Sequence, residues 1–145
     1  MPLYASERDW KGRRAVVQMP LFPGYLFVRP RLEERIRVLS IPGVVRIVSF
    51  CGQPALVRES EILGVQAALA RGGVEPSAWL VAGHRVRVKT GVLAGLEGVV
   101  VRRKNRLRVV IALESIMRAM SVEVDVSELE PLSSYAVTSR SRGIL

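Results

Sequence analysis

Few residues in this chain are of a type and spacing that could do chemistry. Gly91, Gly95 and Gly98 are spaced like a loop that cradles phosphate on its backbone N–H groups. No Gly-Lys-Ser/Thr follows them, and the chain runs on into a β-patterned stretch and not a helix, which excludes a P-loop. Gly91, Gly95, Glu97 and Gly98 are expected instead to build a turn, with the glycines allowing positive φ and close backbone approach and Glu97 accepting backbone hydrogen bonds. Cys51 is the one cysteine and His84 the one histidine. With the acids they form neither a nucleophile–base motif nor a metal-ligand spacing. A single cysteine closes no internal disulfide, and Cys51 is expected to be buried or inert. The chain is therefore expected to have no catalytic residue, metal, cofactor or small-molecule substrate, and not to be an enzyme.

The remaining candidates are basic and aromatic. The 22 Lys+Arg against 13 Asp+Glu give a net charge of +9, which favours a polyanionic or acidic partner. Residues 85–108 carry eight bases (Arg85, Arg87, Lys89, Arg102, Arg103, Lys104, Arg106 and Arg108) and one acid, Glu97, whereas 114–130 carry five acids and one base, Arg118. The basic run reads either as a phosphate-contacting face or as a solvated outer face. It has no interleaved aromatic, so base stacking there is not expected. Arg8, Arg13 and Arg14 beside Trp10 and Lys11 read as a loop that contacts an unpaired strand or is merely solvated. Phe22 sits in a turn and reads as a partner contact or as core. Tyr25 and Phe27 alternate on a strand and read mainly as core.

These residues need elements to position them. The 145 residues, 49% hydrophobic, suit one ordinary domain or two small ones. Arg14–Met19 and Tyr25–Arg29 read as strands on either side of a Pro/Gly turn. Leu32, Ile36 and Leu39 fall at helical spacing, and Ile41-Pro-Gly43 stops that helix. Val44–Phe50 reads as a strand. Glu59–Arg71 reads as a helix with Ile62, Val65 and Leu69 on one face and Ser60 as N-cap. Gly72, Gly73, Pro76 and Ser77 give 72–82 the composition of a linker. Beyond it the period becomes two: His84–Lys89 puts Val86 and Val88 inward, Val99–Arg103 and Leu107–Ala112 form a hairpin across Lys104-Asn105, and Ser121–Val126 reads as the last strand. Short strands this close together suggest a small barrel. The tail, 133–145, is expected to be disordered. No apolar run is long enough to cross a bilayer and the first residues do not form a secretory signal, so a cytoplasmic protein without membrane contact is expected.

Several segments, in order, resemble the NusG family. Pro20-Leu-Phe-Pro-Gly-Tyr-Leu-Phe-Val28 is similar to the FPGY segment of the NusG amino-terminal domain, and Ile41-Pro-Gly-Val-Val45 to its PGV strand. Gln53-Pro-Ala-Leu-Val-Arg-Glu-Ser-Glu61 resembles the lead into its last helix. Gly83–Val99 is similar to the KOW signature, and Val122–Glu130 to the closing strand and turn.

The resemblance implies an α+β protein: a ferredoxin-like amino-terminal domain at 1–71, a linker at 72–82 and an SH3-like KOW β-barrel at 83–132. It implies a transcription elongation and antitermination regulator. Phe22, Pro23, Gly24 and Tyr25 would meet the β′ clamp helices of RNA polymerase. Arg13, Arg14, Arg102, Arg103 and Lys104 would meet nucleic-acid backbone. Ile116, Met117 and Arg118 would meet Rho or a ribosomal protein. Leu107–Ser121 resembles the specialised paralogues more than the housekeeping factor. The family's usual first strand and helix precede FPGY by about forty residues, so the amino-terminal domain is expected to be truncated with two sheet edges unpaired, which implies a misassigned start, a split gene or a strand donated by a partner molecule. The other reading is a KOW-type RNA-binding or ribosome-associated protein.

Overall fold

The computed structural model describes residues 1–79, 82–103 and 105–137, and at 32, 82 and 133–137 the backbone only. The chain opens with an antiparallel hairpin, β1 (Leu3–Trp10) and β2 (Arg13–Pro20). Lys11 and Gly12, both at positive φ, make the two-residue connection, as a hairpin with right-twisted strands requires. The sequence alone points to no β1 and puts Arg8 and Arg13 on a loop, with Arg14 at the boundary between that loop and the expected strand Arg14–Met19; all three lie on ladder strands.

Two Pro-Gly turns of one design follow. The Tyr25 N–H donates to the Phe22 carbonyl at 3.1 Å across Pro23-Gly24, and the Val44 N–H to the Ile41 carbonyl at 3.1 Å across Pro42-Gly43. Gly24 has φ 81° and Gly43 φ 91°, values that disfavour any residue with a Cβ. The motif glycines thus shape backbone. Between the turns a 3₁₀ turn, Leu32–Glu34, leads into α1 (Arg35–Leu39), and Ile36 and Leu39 on it are exposed. The strands expected at Tyr25–Arg29 and over most of Val44–Phe50 do not form. A strand needs a neighbour, and among the described residues 25–29 has none. Only Ser49–Phe50 (β3) pairs, with Gln53–Pro54 (β4), across Cys51-Gly52. Cys51, expected to be buried or inert, is exposed in that turn at φ 49°, so it is not buried.

The second helix, α2 (Glu59–Arg71), matches its expected span. Its first turn is closed by Glu61, whose carboxylate accepts the Arg58 N–H at 2.9 Å, so Arg58 and not Ser60 holds the cap position. It buries Gly64, Val65 and Ala68, with Ile62 and Leu69 half-buried beside them.

The rest is one six-stranded antiparallel sheet: β5 (Val74–Ser77), β6 (Ala82–Val88), β7 (Glu97–Arg103), β8 (Arg106–Leu113), β9 (Arg118–Glu123) and β10 (Leu129–Val137), in the order β10-β6-β7-β8-β9-β5. Val86 and Val88 point inward as their alternation predicts. Three expectations change. The sheet is not closed into a barrel among the described residues, since its outer strands, β5 and β10, do not pair. The span expected to be a linker holds β5, with Val74 buried and Pro76 tolerated because it lies on an edge strand. The last strand is β10 and not Ser121–Val126, and it runs to Val137, into the tail expected to be disordered; residues 138–145 lie outside the described residues.

One core joins the two halves. Leu21, Phe22, Val65 and Ala68 belong to the same buried cluster as Val86, Val88, Leu93, Val109, Met120 and Val122. Independent modules on a flexible linker are therefore not what forms. Gly98 shows how tightly the sheet is built: a Cβ there would stand 2.7 Å from Val109 Cγ1 and overlap the Val110 carbonyl oxygen. Close approach, not positive φ, explains this glycine.

Candidate functional site

The residues expected to contact polymerase divide by burial. Phe22 is 1% exposed. Its ring meets Phe27 edge-on, with centroids 5.9 Å apart at 81°. It is core and not a surface anchor, because the second half of the chain covers the turn that carries it. Pro23 and Gly24 are exposed at the tip of that turn, and Tyr25 is half-buried.

The residues expected to contact a partner on the second half lie against that same region. A 3₁₀ turn at Glu114–Ile116 is followed by Met117 in the left-handed conformation, and Arg118 opens β9. Ile116 is 6% exposed and is core, so it drops out as a contact. Met117 and Arg118 are exposed. The Arg118 guanidinium lies over the Tyr25 ring at 5.1 Å from its centroid. Tyr25, residues 46–50, Ile116 and Met117 line one shallow cleft of about 220 Å³. The structure thus brings together two sets of residues that the sequence assigned to different partners.

Most of the basic run on the sheet is engaged internally. Glu97 does not hold a turn; it stands at the start of β7 and accepts from Arg85 at 3.0 Å and from Arg87 at 3.0 and 2.6 Å. The Arg87 guanidinium, with lesser help from Arg85, holds the Glu97 carboxyl below the usual carboxylate range. Arg106 donates to Glu123 at 2.6 Å. Arg103 stands 3.9 Å from Glu75. Arg108 is 6% exposed: its Nη2 donates to the Gly73 carbonyl at 2.6 Å and the Ser121 carbonyl at 3.0 Å, and its Nε to Ser121 Oγ at 3.0 Å. Glu123, from the acidic stretch at 114–130, therefore stands against the basic run. Arg102 stays exposed, with no ion pair among the described residues. Lys104 lies outside the described residues.

Arg71, in the last turn of α2, donates to both Glu128 carboxylate oxygens, at 3.0 and 2.8 Å. Arg71 and the Asp125 N–H together hold the Glu128 carboxyl low. The sequence reading missed this clamp, since 57 residues separate its partners.

Arg13 and Arg14 are exposed on β2, and Trp10 is exposed on β1. Among the described residues no cluster of three or more His, Cys, Asp or Glu could hold a metal ion, and no helix is long and apolar enough to cross a membrane.

Residues 1–66, which carry the hairpin, both Pro-Gly turns and the first half of α2, match the family model described as "Transcription termination factor nusG". That stretch, a little under half of the chain, is therefore similar to the NusG family, whose members are non-enzymatic transcription factors.

Proposed function

We propose that this chain regulates transcription elongation by binding RNA polymerase through residues 1–66. The observation that carries the reading is the NusG match over that region. The exposed apolar side chains Leu26, Val28, Ile36, Leu39, Ile41 and Val45 support it, because a set of this kind on short consecutive segments marks a protein interface. With Phe22 in the core, the contact passes to these side chains and to the Pro23-Gly24 tip. The docked protein favours the elongating state of polymerase, including the closed position of the β′ clamp helices, to the extent that it binds that state better than the paused one.

The second half supplies Met117 and Arg118 to a further partner, Rho or a ribosomal protein. In the arrangement described above those residues lie against Tyr25, so a partner gains them only when that contact parts. Antitermination on particular transcripts, and a specialised place within the family, complete the reading.

The test is binding of the purified full chain to core RNA polymerase by size-exclusion chromatography, followed by a single-round pausing assay. Co-elution and shortened pauses are expected, with both weakened by Leu26→Asp combined with Val45→Asp. Failure to bind polymerase, with stable association to ribosomes or ribosomal RNA instead, overturns the proposal in favour of a KOW-type RNA-binding protein.

A further inference from the structure

The segment that leads into β3 has one edge without a partner. Residues 44–48 run from the second Pro-Gly turn to β3 with no helix, turn or bend. In an extended chain the N–H and C=O groups of alternate residues point to the same edge. The Val48 carbonyl accepts the Ala55 N–H at 2.7 Å, which continues the β3–β4 ladder by one residue. Val48 therefore turns its backbone groups to the β4 side, and Ile47 and Val45 turn theirs to the other edge. Among the described residues the Val45 and Ile47 N–H groups and the Val45 carbonyl bond to nothing. The Ile47 carbonyl takes only the Ser49 hydroxyl, two residues on, at 3.1 Å.

The shallow cleft of about 220 Å³ lies on that free edge. Its lining is Arg46 to Phe50 in unbroken succession, with Tyr25, Ile116 and Met117, and neither residue of β4 takes part. Successive side chains on an extended chain point to opposite faces, so a cleft lined by an unbroken run passes beside the backbone and not over one face. Phe50 and Met117 keep about half their surface in solvent there, 48% and 50%. No acid lines the cleft. Arg46 is exposed and in no ion pair among the described residues, and Arg118 adds a second cation beside Tyr25.

A free strand edge beside an apolar cleft suits an extended peptide, whose backbone pairs with the edge while alternate side chains enter the cleft. The charge of the site selects which peptide. Two cations without an acid favour carboxylates on the strand that pairs there. A second copy of this chain does not suit, because a net charge of +9 sets two copies against each other and the acid-rich stretch at 114–130 is tied into the six-stranded sheet.

We infer that the free edge of residues 44–48 adds, as a further strand, an extended peptide of another protein in which apolar and acidic residues alternate. Its apolar side chains fill the cleft and its carboxylates meet Arg46. Because both halves of the chain line the cleft, the bound peptide favours the arrangement in which Ile116 and Met117 lie beside Tyr25. The inference does not rest on polymerase binding, and its test uses none.

The experiment measures fluorescence anisotropy of a labelled peptide of alternating Glu and Val, about seven residues long to match a strand, titrated with the full chain at two salt concentrations. The same peptide with Lys for Glu, and one with Pro at its centre, are the controls; each is expected to bind at least about tenfold more weakly. The acidic peptide is also expected to raise the unfolding temperature of the chain. The Val45 side chain is 91% exposed and its N–H is unbonded, so Val45→Pro removes little except a donor on the free edge. Val45→Pro is expected to weaken binding about tenfold, and Val45→Ala to stay within about twofold of the unaltered chain. Arg46→Gln is expected to weaken binding about fivefold and to flatten its salt dependence. Thermal unfolding without peptide checks that each variant folds, and the two control peptides test the inference on the unaltered chain. The inference is overturned if the acidic peptide does not bind, if the Lys or the Pro peptide binds as tightly, or if Val45→Pro leaves affinity unchanged. It is also overturned if Val45→Ala costs as much as Val45→Pro, or if sedimentation shows the chain alone to be a dimer that the peptide does not dissociate, a second copy then holding the edge.

Discussion

Arg118 holds its guanidinium 5.1 Å from the centroid of the Tyr25 ring, and so joins the start of β9 to the turn that follows β2. The contact spans two regions that share no backbone ladder. It lies at the rim of the common core, where an exposed cation meets a half-buried ring. Such a pair contributes about 0.5–1 kcal/mol. A double-mutant cycle of Arg118→Ala and Tyr25→Leu, read by urea unfolding, is expected to return a coupling energy in that range. A coupling indistinguishable from zero would show that the two side chains are neighbours without attraction.

The Arg71–Glu128 clamp makes stability depend on pH in one direction. Glu128 titrates below its ordinary range in the folded chain, first through Arg71 and then through the Asp125 N–H. A carboxyl with a depressed folded pKa contributes stability that is fully present above its unfolded value, about 4.3, and lost as the pH falls through the lower folded value. The same pair raises Arg71, but that limb lies far above neutrality. Glu128→Gln keeps the shape and removes the charge. It is expected to cost about 1–2 kcal/mol at pH 7, and the gap between the two proteins is expected to narrow as the pH falls from 5 to 3. A gap independent of pH would mean that the charge contributes nothing.

Arg108 has the largest expected effect. Its guanidinium is buried against Gly73 and Ser121, with Glu75 and Glu123 at 3.8 and 4.0 Å. Arg108→Ala leaves those carbonyls and the hydroxyl without their donor and opens a cavity, at a cost of about 3–5 kcal/mol. Arg108→Lys is expected to recover less than half of this, since an ammonium lacks the planar fork that reaches both segments. Thermal unfolding of the two variants checks it. Equal stability of Arg108→Lys and the unaltered chain would show that charge alone suffices.

What the sequence determined by itself was local. The two Pro-Gly turns, the span of α2, the inward valines of β6 and the two-residue connection near Asn105 all follow from backbone preference or period, properties a short segment carries wherever it sits. The family resemblance at 20–28 and 41–45 rests on the same residues. The tertiary structure decided everything that needed a distant neighbour. β1 escaped notice because both faces of its outer half meet water, leaving no apolar alternation to detect. β5 looked like a linker because an edge strand tolerates the glycines and proline that mark linkers. Tyr25–Arg29 has the residues of a strand and, among the described residues, no partner to make it one. Phe22 is core because residues far along the chain cover it. Arg85, Arg87, Arg106 and Arg108 looked like a free basic face until Glu97, Glu123, Gly73 and Ser121 were brought to them. Burial and charge pairing are long-range properties, and the order of the six strands, not the composition of any one, determined which arginines would remain in solvent.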